Sequence, residues 1–331
     1  MKKTVLLIVG GTGKEREVSL MGRDYVRSLI DSEKYRVITA TVLPSGVWLA
    51  DDGKAIFPTR SPDGSGILMD GALIPIDGAF PLLHGDGGED GIIQGTLQAA
   101  GIPFVGADTY TGALCADKWY TKCVASALGI PVTEGIYLTG NADMPRERER
   151  AERALTYPMF VKPARLGSSI GACPIPSGEE FYPAMRHASE AADRLLVERA
   201  WGKKRELEVA YFSTHGETII TDAGEILEEG FYDYDGKYGG SCITLDRATL
   251  SPEVAALIRD YSERLAAAVG LRHLGRIDFF LTEDGVIFNE INTMPGFTQS
   301  SLYPRLVARA GIKPRELVSR LLDDAIEEGA V

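Results

Sequence analysis

Four polar side chains near the C-terminal end are spaced to share one surface. They lie in Gly275-Arg276-Ile277-Asp278-Phe279-Phe280-Leu281-Thr282-Glu283-Asp284-Gly285-Val286-Ile287-Phe288-Asn289-Glu290-Ile291-Asn292, two apolar runs around Glu-Asp-Gly. A three-residue hairpin loop favours glycine at its last, left-handed position, where Gly285 stands. Such a loop sets Thr282 opposite Val286, Asp278 opposite Glu290 and Arg276 opposite Asn292. Side chains alternate across a strand. One face is therefore expected to carry Arg276, Asp278, Glu290 and Asn292. The core face is expected to carry Ile277, Phe279, Leu281, Ile287 and Ile291, with Asn289 its one polar member. Two carboxylates and an amide oxygen suit Mg²⁺, a hard cation that takes oxygen ligands and keeps waters and phosphates in its shell. A carboxylate shared between two such ions would clamp a reacting phosphate. A cross-strand Arg–Asp pair on a solvated face is the plainer alternative. The Asn292-Thr293-Met294-Pro295-Gly296 loop directly after the hairpin favours the metal, because irregular loops on a rigid scaffold often carry function.

A second candidate is Phe160-Val161-Lys162-Pro163-Ala164-Arg165-Leu166-Gly167-Ser168-Ser169, a strand running into a small-residue loop. Successive backbone N–H groups in such loops make a concavity for anions, and Lys162 adds a point charge. An ordinary Gly/Ser turn is the alternative. The N-terminal Gly10-Gly11-Thr12-Gly13-Lys14-Glu15-Arg16 is not a Walker loop, because Glu15 follows the lysine. Nor is it a dinucleotide fingerprint, because Arg16 stands where the third glycine belongs. It remains a Gly-rich turn between a first strand and a first helix. Glu15 there serves either helix-start electrostatics or a substrate ammonium at the mouth of the sheet. Phe231-Tyr232-Asp233-Tyr234-Asp235-Gly236-Lys237-Tyr238 is either a surface turn or a lid closing over a nucleotide.

The elements that must position these groups alternate in type. Residues 3–9 read as a strand, 17–30 as an amphipathic helix, 35–43 and 79–83 as strands and 91–100 as a helix. This is a βαβ arrangement with a largely parallel sheet, and residues 44–71 read as a hairpin-bearing insertion. Helices are expected at 109–128, 147–155, 178–190, 251–269 and 314–328, and strands at 157–162 and 194–198. The 331 residues suggest two or three packed units. We expect domains at 1–106, 107–197 and 198–331. A net charge of −12 argues against a nucleic-acid partner. No apolar run reaches the roughly 18 residues of a membrane span, and the short N-terminal apolar run reads as a strand rather than a signal peptide. Cys115, Cys123, Cys173 and Cys242 form no C-x-x-C pair, which fits a reducing cytoplasm.

Taken in order, these segments resemble the D-alanine–D-alanine ligases of the ATP-grasp superfamily. The matching runs are Gly10-Gly11-Thr12 with Glu15-Arg16-Glu17-Val18-Ser19, then Leu83-His84-Gly85 with Gly88-Glu89-Asp90-Gly91. Asp117-Lys118 follows, then residues 161–169, 231–238, 275–278 and 289–298, and finally Ser301-Leu302-Tyr303-Pro304. The set spans nearly the whole chain. The resemblance implies an α/β (α+β) three-domain ATP-grasp fold with an N-terminal parallel-sheet α/β domain. It implies joining of two D-alanines through an acyl phosphate made from ATP, in peptidoglycan precursor synthesis. D-Serine as second substrate, or another carboxylate–amine pair, is the alternative.

The same resemblance assigns roles to matching positions. Glu15 would bind the first ammonium and His84 would lie near the first carboxylate. Ser168 and Tyr238 would join Glu15 in a hydrogen-bonded triad. Arg276 and the Gly296 N–H would stabilise the oxyanion, and Ser301 and Leu302 would set the second subsite. Lys118, Lys162 and Lys237 would neutralise ATP phosphates. Glu198, Arg199, Trp201 and Glu206 resemble adenine and ribose contacts, with Phe231 stacking nearby and Asn289 on the ATP side. Asp278, Glu290 and Asn292 would ligate two Mg²⁺ or Mn²⁺ ions. The family also implies a cytoplasmic homodimer. One departure is Ala172-Cys173-Pro174-Ile175, where the family usually has a Ser-Lys pair.

Overall fold

A computed structural model describes residues 2–139, 143–167, 169–227, 243–245 and 247–329. The first strand, β1 (Lys3–Gly10), is buried along most of its length and sits inside a seven-stranded sheet. Its unbroken run Val5-Leu6-Leu7-Ile8-Val9 is what a strand covered on both faces requires. Helix α1 (Arg16–Leu29) follows, then β2 (Tyr35–Val42), β3 (Trp48–Leu49), β4 (Ala55–Ser61), β5 (Gly64–Met69), β6 (Ala72–Pro75) and β7 (Gly78–Pro81). The sheet order is β6-β5-β4-β3-β2-β1-β7. Only β1 with β2 and β1 with β7 pair in parallel. The remaining pairs are antiparallel, so the expectation of a largely parallel sheet holds only for the three strands β2, β1 and β7 at one edge. The segment expected as an insertion extends the same sheet as a meander.

Helices α2 (Ile92–Ala99), α3 (Thr109–Ala116) and α4 (Lys118–Ala127) come next. The single helix expected over 109–128 is broken at Asp117. That residue is extended, and its carboxylate caps α4 by accepting from Trp119 N–H at 3.0 Å. The break places Lys118 at a helix start. Next come β8 (Gly135–Thr139), α5 (Met144–Ala154), β9 (Met159–Pro163), β10 (Cys173–Ile175), α6 (Phe181–Ala191) and β11 (Arg194–Arg199), whose strands form an antiparallel sheet in the order β10-β9-β11-β8. Its apolar face packs under α5 and α6 through Leu155, Phe181, Met185 and Leu195.

The last sheet contains β12 (Arg205–Thr214), β13 (Glu217–Ile220), β14 (Gly224–Leu227) and β15 (Ile243–Leu245). After α7 (Pro252–Val269) it is completed by β16 (His273–Thr282) and β17 (Gly285–Asn292). Helices α3, α4 and α7 cover it around Leu207, Phe279 and Phe288. Two closing helices, α8 (Leu302–Arg309) and α9 (Pro314–Glu328), return to the first sheet. There Tyr303, Leu317 and Leu321 share a core with Val5, Val9 and Phe80. That shared core fixes the segment after β17 against the end of β1.

The β16–β17 hairpin pairs Thr282 with Gly285 and Phe279 with Phe288, one residue tighter than expected. An irregularity between Phe279 and Asp278 then restores Asp278 opposite Glu290 and Arg276 opposite Asn292. The extra residue on β17 is Asn289, as in a β-bulge. Gly285 has the positive φ expected of it, +104°. The bulge changes the faces beyond it. Val286 and Phe288, rather than Ile287, join Phe279 and Ile291 in the core, and Asn289 turns to the cleft side.

Candidate active site

Three neighbouring cavities run between the sheets. The outermost, about 520 Å³, lies at the turn from β11 to β12 and is bordered by Phe160, Glu198, Arg199, Trp201, Glu206 and Phe280. A narrow middle cavity of about 180 Å³ is bordered by Lys118, Lys162, Asn289, Asp278 and Glu290. Phe160, Lys162, Glu206 and Phe280 border both. The innermost, about 850 Å³, is bordered by Glu15, His84, Asn292, Gly296, Ser301 and Leu302. It shares Gly167, Glu208, Arg276 and Glu290 with the middle one. The result is one cleft with an aromatic outer end, a middle lined by charges of both signs and an acid-and-amide inner end.

The hairpin supplies the middle. Arg276 Nε donates to Asp278 Oδ1 at 2.8 Å and its Nη2 to Oδ2 at 2.7 Å, a bidentate grip. Asn292 Nδ2 donates to the same carboxylate at 3.0 Å. Glu208, opposite Asp278 on β12, lies 3.1 Å from the Arg276 guanidinium. Burial works against the Arg276 charge, but Asp278 and Glu208 outweigh it and hold the guanidinium protonated far above its ordinary value. Glu290 is 3.2 Å from Lys118 Nζ, which also donates to the Leu166 carbonyl at 2.7 Å. Each of the two carboxylates is thus held by a side-chain cation. Two carboxylates and an amide are an oxygen donor set that fits a hard divalent ion.

Beside them stands a second charge cluster. Glu198 accepts from Lys162 at 2.7 Å and from Lys122. Lys162 also donates to Asn289 Oδ1 at 3.3 Å. Burial pushes the Glu198 carboxyl up, yet the two lysines outweigh it and hold it below the ordinary carboxylate value. Burial depresses Lys162 too, but Glu198 and Glu290 more than reverse this. At the outer end Trp201 Nε1 donates to Thr133 at 3.1 Å, and Arg199 lies 4.3 Å over the indole while pairing with Asp284. Glu206 pairs with Lys204 at 2.6 Å.

The inner end is built by loops. Glu15 occupies the N-cap position of α1 but its side chain makes no cap hydrogen bond. It lies instead between two glycines: a Cβ on Gly85 would fall 2.3 Å from Glu15 Oε2, and one on Gly167 2.9 Å from it. His84 Nδ1 donates to the Met294 carbonyl at 2.9 Å, so a neutral ring presents Nε2 as an acceptor. Burial lowers its pKa, against the pull of Glu15. Glu89 accepts from Gly85 N–H at 3.0 Å and Met294 N–H at 2.9 Å, tying this loop to the one after β17. Its carboxyl is pushed up to about 7 by burial and by the charge of Glu15. Ser301 Oγ accepts from Thr298 N–H at 2.9 Å and stands at the start of α8, whose N-terminal N–H groups favour anions.

Against the families of known sequence, residues 4–107 match the D-ala D-ala ligase N-terminus and residues 124–323 the D-ala D-ala ligase C-terminus. The chain belongs to the D-alanine–D-alanine ligase family. A D-alanine--D-alanine ligase of Streptococcus pneumoniae is 36% identical to it, over 99% of this chain and 97% of the relative. One of Mycolicibacterium smegmatis is 35% identical, over 98% and 96%. The solved D-alanyl-alanine synthetase A of Vibrio cholerae superposes with a TM-score of 0.89 at 32% identity, covering 98% of this chain and 99% of that one. The VanG D-Ala:D-Ser ligase of Enterococcus faecalis does so with 0.89 at 30%, covering 98% and 100%.

Within this ligase-family chain, every expected site residue that the structure describes borders the cleft. Ser168, Phe231, Lys237 and Tyr238 lie outside the described residues. Sequence reasoning passed over Lys122, Glu208 and Glu89 as site residues. Lys122 stands four residues after Lys118, the spacing of one helix face. Glu208 stands two after Glu206, the spacing of one strand face. Both signals were in the chain, but only the tertiary pairing shows that Lys122 serves Glu198 and Glu208 serves Arg276.

Proposed function

We propose that the chain uses ATP to join two D-alanines, with the nucleotide in the outer and middle cavities and the amino acids in the inner one. The observation that carries this is the hairpin: Asp278, Glu290 and Asn292 face the cleft beside Arg276, with Lys118 and Lys162 across from them. In this reading Asp278, Glu290 and Asn292 hold two Mg²⁺ or Mn²⁺ ions, which neutralise phosphate charge when bound. Lys118 and Lys162 face the phosphates. Glu198 and Glu206 face the adenine and ribose, between Phe160, Trp201 and Phe280.

Glu15 binds the ammonium of the first D-alanine and directs its carboxylate toward Arg276. The γ-phosphoryl of ATP passes to that carboxylate, giving ADP and an acyl phosphate. The amine of the second D-alanine attacks the acyl carbon, phosphate leaves, and the peptide bond forms. The oxyanion of that step falls to Arg276 and the Gly296 N–H, donors held in place before charge develops. The second carboxylate meets Ser301 and the N-terminus of α8, with Leu302 against the methyl. A second reading, D-serine as the incoming amine, is favoured by the likeness to VanG. The same reading places the enzyme in the cytoplasm as a homodimer; among the described residues no helix is long and apolar enough to cross a membrane.

The test is phosphate release from ATP across D-alanine, D-serine and D-lactate. D-Alanine alone should support turnover. No turnover with D-alanine in the presence of Mg²⁺ would refute the assignment, and faster dipeptide formation with added D-serine would select the second reading.

A further inference from the structure

Lys122 is among the most enclosed cations of the molecule. It is 3% exposed, on α4, and borders none of the three cavities. Its partner Glu198 is equally enclosed and borders the outer cavity alone. Lys162 borders the outer and middle cavities and is the only one of the three that reaches the middle. Glu198 therefore holds one cation from behind the wall and one from within the cleft. A buried carboxylate stripped of its last counter-charge is costly and takes up a proton instead.

We infer that Lys122 is a positioning residue, a fixed counter-ion that lets Glu198 release Lys162 to the nucleotide phosphates while remaining ionised. This rests on the nucleotide reading above. Lys162 is bound to Glu198 and Asn289. A polyphosphate in the middle cavity competes for that ammonium. With Lys122 in place, Glu198 keeps a charge-assisted partner and stays an anion able to accept an exocyclic amine. The charged groups around the pair are Lys122 from α4, Lys162 from β9, and, acting on the lysines, Glu206 from β12 and Glu290 from β17. Burial holds Lys122 down to about 8, with the charge of Lys162 contributing. Departure of Lys162 removes that contribution, so the Lys122 pKa rises when phosphate binds.

Two consequences follow for the protons exchanged when ATP binds. Calorimetry in buffers of different ionisation enthalpy reads them, with Mg²⁺ present and no amino acid. At pH 7 the wild type should take up almost no proton. Lys122→Met should take up nearly one, on Glu198, and bind ATP about tenfold more weakly, the weight of one charge-assisted hydrogen bond. Adenosine, which has no phosphate to draw Lys162, should show no uptake in either protein. Lys122→Arg should behave as wild type at pH 7, and Lys122→Met with Glu198→Gln should lose the uptake. A merely structural lysine would change stability and move no proton.

The wild type alone supplies an independent reading should Lys122→Met not fold. Near pH 8 ATP, but not adenosine, should bind with fractional proton uptake that Lys122→Arg abolishes. ATP binding by Lys122→Met at unchanged affinity without uptake, or uptake that survives Glu198→Gln, overturns the inference. So does a wild type whose proton balance is the same at pH 7 and 8. A wild type that binds no ATP overturns the nucleotide reading itself, and this inference with it.

Discussion

Two clusters of charge share β16, and they behave differently. In the middle of the strand Arg276 and Asp278 alternate on one face, with Glu208, Glu290 and Lys118 around them. At its first residue His273 meets the buried Asp324 and the exposed Glu328, with ligand atoms within 4.8 Å of one another. By residue type the second resembles a metal site more closely than the first. Its hydrogen bonding rules that out. Gly106 N–H donates to His273 Nδ1 at 2.9 Å, so the neutral ring carries its proton on Nε2. That leaves no lone pair facing the carboxylates, and a metal would require an imidazolate. Arg272 already neutralises Glu328 at 2.9 Å, and Asp324 accepts from His215 N–H. What distinguishes the cleft cluster is that Asp278, Glu290 and Asn292 all border the cleft, whereas of the other three groups only Glu328 borders a cavity. Proximity of ligand-type residues alone does not make a site.

The largest expected effect breaks the cleft cluster. Asp278→Asn or Glu290→Gln should lower turnover by about a thousandfold or more, the weight of several kcal/mol of phosphate-charge stabilisation, with circular dichroism unchanged. Wild-type-like phosphate release in either variant would remove the metal assignment. Arg276→Lys keeps the charge but loses the bidentate fork. It should cost about a hundredfold in kcat, as loss of an oxyanion donor does, with the apparent KM for ATP nearly constant. A fall in ATP affinity of the same size would move Arg276 from the oxyanion to the nucleotide.

A smaller effect is expected from Gly85→Ala. The new Cβ would meet Glu15 Oε2 at 2.3 Å, on a backbone with φ +64°. Glu15 must move, so the KM for the first D-alanine should rise about tenfold, the loss of one charged hydrogen bond, while the KM for ATP holds. Steady-state kinetics with each substrate varied in turn decides this. Equal changes in both would show that the loop, rather than Glu15, was displaced.

How much of this was legible in the sequence depends on the residue. The pairing of Asp278 with Glu290 was legible, but through two departures that cancel. The loop is one residue shorter than the Gly285 rule suggested, and the bulge at Asn289 returns the residue. The bulge itself was written in the apolar spacing: Val286, Phe288 and Ile291 face the core, and the step from 288 to 291 contains one residue too many for an unbroken strand. Read that way, Asn289 belongs on the cleft side. The break of the 109–128 helix was legible in Asp117, a strong N-cap residue, yet helical periodicity on both sides concealed it. The antiparallel meander of β3 to β6 followed from its turn-rich composition, but its continuity with the parallel strands did not: the link is the β2–β3 hairpin, Val42 opposite Trp48, and a strand of two residues is too short to show an alternation. Glu198 is where local reading ends, since its two lysines come from positions 76 and 36 residues earlier, counting 198 − 122 and 198 − 162.

The smallest effect on catalysis is expected at the first residue of β16. His273 has φ +60°, a conformation asparagine tolerates better than most residues. His273→Asn can keep the backbone and offer Oδ1 to Gly106 N–H. Turnover should be unchanged, and Zn²⁺ or Mg²⁺ should not stabilise either protein through this cluster. Stability should differ in one window. Burial, reinforced by Arg272, pushes His273 down to about 4, below the ordinary 6.5. Between those values the unfolded chain holds the proton and the folded one does not, so ΔG of unfolding rises with pH there. The contribution is complete above about 6.5 and is lost as pH falls toward 4, at roughly 1.4 kcal/mol per unit. Thermal or urea unfolding from pH 4 to 7 should therefore show a shallower acid limb in His273→Asn than in the wild type. An unchanged limb would mean that the ring already accepts a proton in the folded state. Its Nδ1 would then be free of the Gly106 bond, and the case against a metal at His273, Asp324 and Glu328 would lose its footing.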